Sequence, residues 1–85
     1  MLGFNYMKHY DITIYGLVQG VNFRNNAAQK AAVFGVKGFV KNRSDGSVYI
    51  EAEGEEKDLE QFVDWCHRGP GLASVERVEV DEGNI

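Results

Sequence analysis

Arg24 has surroundings that point most clearly to chemistry. It follows Gly16-Leu17-Val18-Gln19-Gly20-Val21-Asn22-Phe23, a stretch joining an alternating apolar segment to a helical one. The first N–H groups of a helix lack internal partners, and the positive end of its dipole favours an anion. Gly20 carries no Cβ, so the backbone there can approach a ligand closely. A cation in the first helical turn is disfavoured by about 0.3–1 kcal/mol, and no Asp or Glu accompanies Arg24 there. An anion between the guanidinium and the amides resolves that conflict, because a guanidinium forks onto phosphate oxygens while backbone N–H groups hold the others. The competing reading is an ordinary strand-to-helix turn with a solvated Arg.

Charge distribution supports the anion reading. No carboxylate occurs between Asp11 and Asp45, whereas Arg24, Lys30, Lys37, Lys41 and Arg43 do. Residues 1–48 carry +4 and residues 49–85 carry -8, for a net -4. Surfaces usually intersperse both signs. The 85 residues allow one domain and one modest core. A single Cys, Cys66, excludes a disulfide framework and any multi-thiolate metal site. With no run of roughly 18 apolar residues and no basic-then-apolar start, the expectation is a cytoplasmic domain.

The elements that must position Arg24 follow from periodicity. Tyr10, Ile12 and Ile14 alternate with Asp11, Thr13 and Tyr15 as a half-buried strand. Phe23, Ala27, Ala31 and Phe34 recur at helical spacing, with Gly35 as a C-terminal stop. Val36 to Asn42 and Val48 to Glu53 read as strands, and Asn42-Arg43-Ser44-Asp45-Gly46 between them carries a hairpin turn signal. A second helix runs from about Glu55 to His67, with Leu59, Phe62, Val63 and Cys66 as its apolar stripe and Gly69-Pro70-Gly71 as its stop. Val75 to Asp81 is the last strand, where Val75 is out of phase with Val78 and Val80, predicting a bulge or a late start. Residues 1–7 read as a loose tail with Met7 as the natural beginning, and residues 8–85 as a single domain.

The order βαββαβ predicts an α+β fold, a ferredoxin-like α/β sandwich, with right-handed crossovers, an antiparallel sheet in order 4-1-3-2 and both helices on one face. Strands one and two then run parallel with strand three between them, so their C-terminal ends share an edge, roughly 10 Å apart. The Gly16–Arg24 loop leaves strand one there and Asn42 ends strand two there. Function is expected at that rim.

Taken together, Val18-Gln19-Gly20-Val21-x-Phe23-Arg24, then Gly38-Phe39-Val40-Lys41-Asn42-x-x-Asp45-Gly46-x-Val48, resembles the acylphosphatase family. The likeness continues through Glu51-Ala52-Glu53-Gly54, and Gly69-Pro70 with Ala73 and Val75 fits its bacterial members. The resemblance covers roughly Ile12 to Val80. It implies hydrolysis of acyl phosphates such as acetyl or carbamoyl phosphate to a carboxylate and inorganic phosphate, with no metal, no cofactor and no covalent intermediate. It implies Arg24 and Asn42 as the catalytic pair. The phosphate would sit on Gln19, Gly20, Val21, Asn22, Phe23 and Arg24, and Asn42 would hold the attacking water. An amide suits that role because it accepts from water and donates to a phosphoryl oxygen without repelling the anion. The expected partners are a small-molecule acyl phosphate and inorganic phosphate as product and competitive inhibitor, with no nucleic acid, no membrane and a monomeric chain. Leu17, Asn22 and Asn26-Ala27 depart from the family pattern, which bears on pocket lining and substrate preference. Relatives often continue into a short final edge strand, expected to be missing after Ile85.

Other candidates have blander readings. Cys66 lies on an apolar stripe and reads as core. His67 complements a helix C-terminus, His9 precedes the first strand, and two isolated His residues make no metal site. Glu51, Glu53, Glu55 and Glu56 follow from alternating strand positions and an acidic helix start. Trp65 should cover the edge of the core, and Phe39, Tyr49 and Tyr15 should pack on the sheet. Two other function classes share the topology. An RNA-recognition module would need its basic-aromatic signature on strand three, but Lys37-Gly38-Phe39-Val40 falls on strand two. The acids of strand three and a pI near 5.0 oppose phosphate backbones. A non-catalytic phosphate- or carbamoyl-phosphate-binding module is the nearer alternative.

Overall fold

A computed structural model describes residues 7–83. Its elements are β1 (Met7–Leu17), α1 (Phe23–Phe34), β2 (Lys37–Asn42), β3 (Val48–Glu55), α2 (Glu56–Arg68) and β4 (Ser74–Gly83). The strands form one antiparallel sheet in the order β2-β3-β1-β4, the expected order read from the other edge. Of the expected tail, residues 1–6 lie outside the described residues, while Met7 already pairs with Glu55. β1 opens before the alternation at Tyr10 because β3 continues to Glu55 and offers backbone partners to Met7, Lys8 and His9. His9 therefore lies within the first strand, not ahead of it.

Period-two alternation decides the buried face. Ile12 and Ile14 of β1 and Val48, Ile50 and Ala52 of β3 point one way and are buried. They meet Phe23 and Ala27 of α1 and Leu59, Phe62, Trp65 and Cys66 of α2 in one cluster. Each large side chain so enclosed contributes roughly 1.5–3 kcal/mol. Trp65 is deeper than expected, buried between Phe23 at 5.3 Å and Phe62 at 6.2 Å between ring centroids. The termini of α2 match its dipole, with Glu56 and Asp58 in the first turn and His67 and Arg68 in the last.

The phase slip expected in β4 is a bulge. Tyr15 stands opposite Arg77 and Gly16 opposite Val75, so Glu76 is the extra residue. Val75 and Val78 thereby both pack against the core. Gly16 makes this possible: its φ is 129°, and a Cβ there would run into the Ser74 carbonyl.

Candidate active site

β1 ends at Leu17 and α1 begins at Phe23, leaving five residues to turn the chain. Val18 and Phe23, both 1% exposed, anchor the two ends of this loop in the core. Between them Gly20 (φ 75°) and Asn22 (φ 65°) take left-handed backbone. Asn22 is the one non-glycine residue at positive φ among the described residues, and Asn tolerates that conformation better than most side chains. No Cβ contact would arise within 4 Å of Gly20, so the loop is open on that side.

Asn22 is also the N-cap of α1, but no side chain caps the helix, and no acid stands in its first turn. The Asn22 side-chain oxygen instead accepts from Asn25 Nδ2 at 3.0 Å, and its carbonyl accepts from Asn26 N at 3.3 Å and Asn26 Nδ2 at 2.8 Å. The first amides of α1 are thus left for another acceptor. Arg24 is exposed and forms no ion pair among the described residues.

Asn42 reaches the same place from β2. Gly38, Val40 and Asn42 stand opposite Ala52, Ile50 and Val48, so Asn42 shares the phase of the helix-facing side. The turn after it is held firmly. Arg43 N donates to Ser47 O at 2.9 Å and Gly46 N to Arg43 O at 3.1 Å. Asp45 Oδ1 accepts from Ser47 Oγ at 2.6 Å and Ser47 N at 2.9 Å. These Ser47 donors, the hydroxyl first, hold the Asp45 carboxyl below its usual 3.8.

Val18, Gln19, Gly20, Asn22, Phe23, Arg24, Asn25 and Asn42 line a hollow of about 200 Å³. It is several times the roughly 30 Å³ share of one water and below the roughly 300 Å³ of drug-sized sites, a size for a small ion or metabolite. Two of the expected phosphate-binding residues behave differently from the others. Val21 is not in the lining; its side chain packs against the core cluster. The Gln19 side chain donates to Arg43 O at 2.7 Å and Ser47 O at 2.8 Å, so it tethers the loop to the β2–β3 turn. Sequence reasoning missed Val18 and Asn25 as lining; Asn25 adjoins Arg24 in the acid-free turn, which was the available signal.

Other reactive groups lie elsewhere. Cys66 is fully buried, and burial pushes its thiol up to about 12, away from the reactive thiolate. A groove of about 310 Å³ between α1 and β2 has Ala27, Ala28, Ala31, Ala32 and Val36 in its lining and no arginine. Among the described residues no helix is long and apolar enough to cross a membrane.

Comparison with known proteins places the chain. The acylphosphatase family model matches residues 10–84. An acylphosphatase of Geotalea uraniireducens is 51% identical over 74 residues, spanning 87% of this chain and 81% of that protein. The crystal structure of acylphosphatase from Bacillus subtilis superposes with a TM-score of 0.89 at 38% identity, covering 92% of this chain and 87% of that one. Full-length HypF in its phosphate- and nucleotide-bound form matches with a TM-score of 0.88 at 37% identity, over 94% of this chain but 11% of HypF. With the family model spanning most of its length and half of the aligned residues identical to a curated relative, this chain belongs to the acylphosphatase family, hydrolases of acid anhydrides.

Proposed function

We propose that the chain hydrolyses carboxyl-phosphate anhydrides such as acetyl or carbamoyl phosphate at the hollow between the β1–α1 loop and Asn42. One observation carries the reading: Gly20, the uncapped start of α1 with Arg24, and Asn42 line one small hollow. The loop amides and the Arg24 guanidinium hold the phosphoryl oxygens, and the Asn42 amide aims a water at phosphorus opposite the leaving carboxylate. As the water oxygen bonds to phosphorus, the bond from phosphorus to the acyl oxygen breaks and its electron pair leaves with the carboxylate. Both water protons stay with the product, so a dianionic acyl phosphate and water give a carboxylate and H2PO4−. Such transfer asks the protein for positioning and electrostatics more than for covalent work. The carboxylate is a good leaving group, so these residues suffice without a strong general acid.

Phosphate release from benzoyl phosphate with EDTA present tests this reading. Turnover should persist in the native chain, and Arg24→Ala should abolish both turnover and inhibition by inorganic phosphate, because one group serves both. The match to a small part of HypF favours a second reading, a module that binds phosphate or carbamoyl phosphate without hydrolysing it. Phosphate binding without turnover under any condition would select that reading.

A further inference from the structure

The face of the sheet turned away from the helices carries a second group of side chains. The register sets His9 opposite Glu53, and Asp11 opposite Glu51 on β3 and Asp81 on β4. Three carboxylates therefore stand in one row across three strands, where like charges directly opposite are destabilising. Among the described residues no Lys or Arg ion-pairs with Asp11, Glu51 or Glu53. Lys37 stands opposite Glu53 in the ladder without pairing to it, and Lys41 and Arg43 lie over the Tyr49 ring.

An imidazole occupies the centre instead. His9 Nε2 lies 3.0 Å from Asp11 Oδ1 and 3.4 Å from Glu51 Oε1, and its Nδ1 lies 3.2 Å from Glu53 Oε1. The ring is only 16% exposed, so its orientation is held. The single Tyr49 hydroxyl proton goes to Glu51 Oε2 at 2.9 Å, and the same oxygen lies 3.3 Å from Asp11 Oδ1, which holds the ring against both carboxylates. Metal-binding histidines share this arrangement: one N–H goes to a carboxylate that fixes the tautomer, and the other nitrogen faces the remaining ligands. His9 Nε2, Asp11 Oδ1 and Glu51 Oε1 lie within 4.8 Å of one another, so small carboxylate rotations bring all three to the roughly 2.0–2.2 Å of zinc–nitrogen and zinc–oxygen bonds.

Against the reading of His9 as an isolated imidazole, which the strand register overturns, we propose that His9, Asp11 and Glu51 form a site for one divalent ion such as zinc, with Glu53 orienting the imidazole. The ion displaces the Nε2 proton, which leaves to solvent, and offsets the acid row that the register creates. One imidazole with two carboxylate oxygens suits zinc or its first-row neighbours better than calcium, which prefers all-oxygen shells. The site is distinct from the hydrolytic hollow. It lies on the opposite face of the sheet and eight residues back along β1 from Leu17, roughly 26 Å at strand rise.

Zinc chloride titrated calorimetrically into EDTA-treated, then dialysed protein at about pH 7.5 tests the site. The expected result is one ion per chain at micromolar affinity, weakened about tenfold or more in His9→Gln and Glu51→Gln. His67→Gln, which removes the other imidazole, should bind as the native chain does, and benzoyl phosphate hydrolysis should be unchanged throughout. Absence of saturable binding below ~1 mM in the native chain would overturn the proposal. So would undiminished affinity in His9→Gln or, where circular dichroism shows that variant unfolded, in Glu51→Gln.

Discussion

Arg24 and Asn42 illustrate how far single residues can be read. A cation against a helix dipole with no acid nearby is a conflict visible in the string, and α1 does start without a side-chain cap or an acid in its first turn. The family motif supplied Asn42, and the register then put it on the helix-facing phase of β2. The proposed water-holding role predicts that Asn42→Ala lowers kcat by about 10²–10³, the scale of one lost transition-state contact, with a milder loss of phosphate affinity. Asn42→Asp preserves shape but adds a negative charge beside the anion. It should weaken phosphate inhibition more than Asn42→Ala does, measured as Ki in the benzoyl phosphate assay; equal Ki values would remove Asn42 from the phosphate's surroundings. Gln19 shows the limit of such reading. Its motif position suggested an anion contact, whereas its side chain is spent on two carbonyls of a distant turn, a pairing that no local pattern encodes.

At the level of elements, that tether joins the two pieces of the hollow. The β1–α1 loop and the first turn of α1 carry the amides and Arg24, the β2–β3 hairpin carries Asn42, and Gln19 fastens one to the other. Gln19→Ala should cost about 0.5–1.5 kcal/mol of stability by urea unfolding. It should also lower kcat while Arg24 and Asn42 remain in place; full kcat with lowered stability would make the tether purely structural. The hairpin has its own pH signature. Asp45 titrates below its usual 3.8 because Ser47 donates to it. Its stabilising contribution is therefore complete above that value and disappears as pH falls through the lowered pKa. The stability difference between native and Asp45→Asn protein should be constant from pH 7 to about pH 5 and shrink toward pH 3, followed by urea midpoints. A difference unchanged down to pH 3 would rule the interaction out.

The whole molecule rests on one core, and its margin is thin. Phe62, 1% exposed, packs among α2, the sheet and Trp65. Phe62→Ala should cost about 3–5 kcal/mol, a large part of the roughly 5–15 kcal/mol typical of small domains. Its urea midpoint should drop accordingly, while residual folded protein keeps its phosphate inhibition constant. Element order, strand order, the β4 bulge and the hairpin were all legible in the sequence, because burial imposes periods of two and 3.6 that residue types must follow. Beyond those periods, tertiary structure alone decided what meets what. The backbone ladder extended β1 to Met7, Trp65 settled into the core, Val21 turned inward and Gln19 crossed to the hairpin. Pairing β1 with β3 also brought Glu51 beside His9 and Asp11, which alternate along β1, on the face away from the helices. Local pattern fixes which way a side chain points; only the register of distant strands fixes its neighbours.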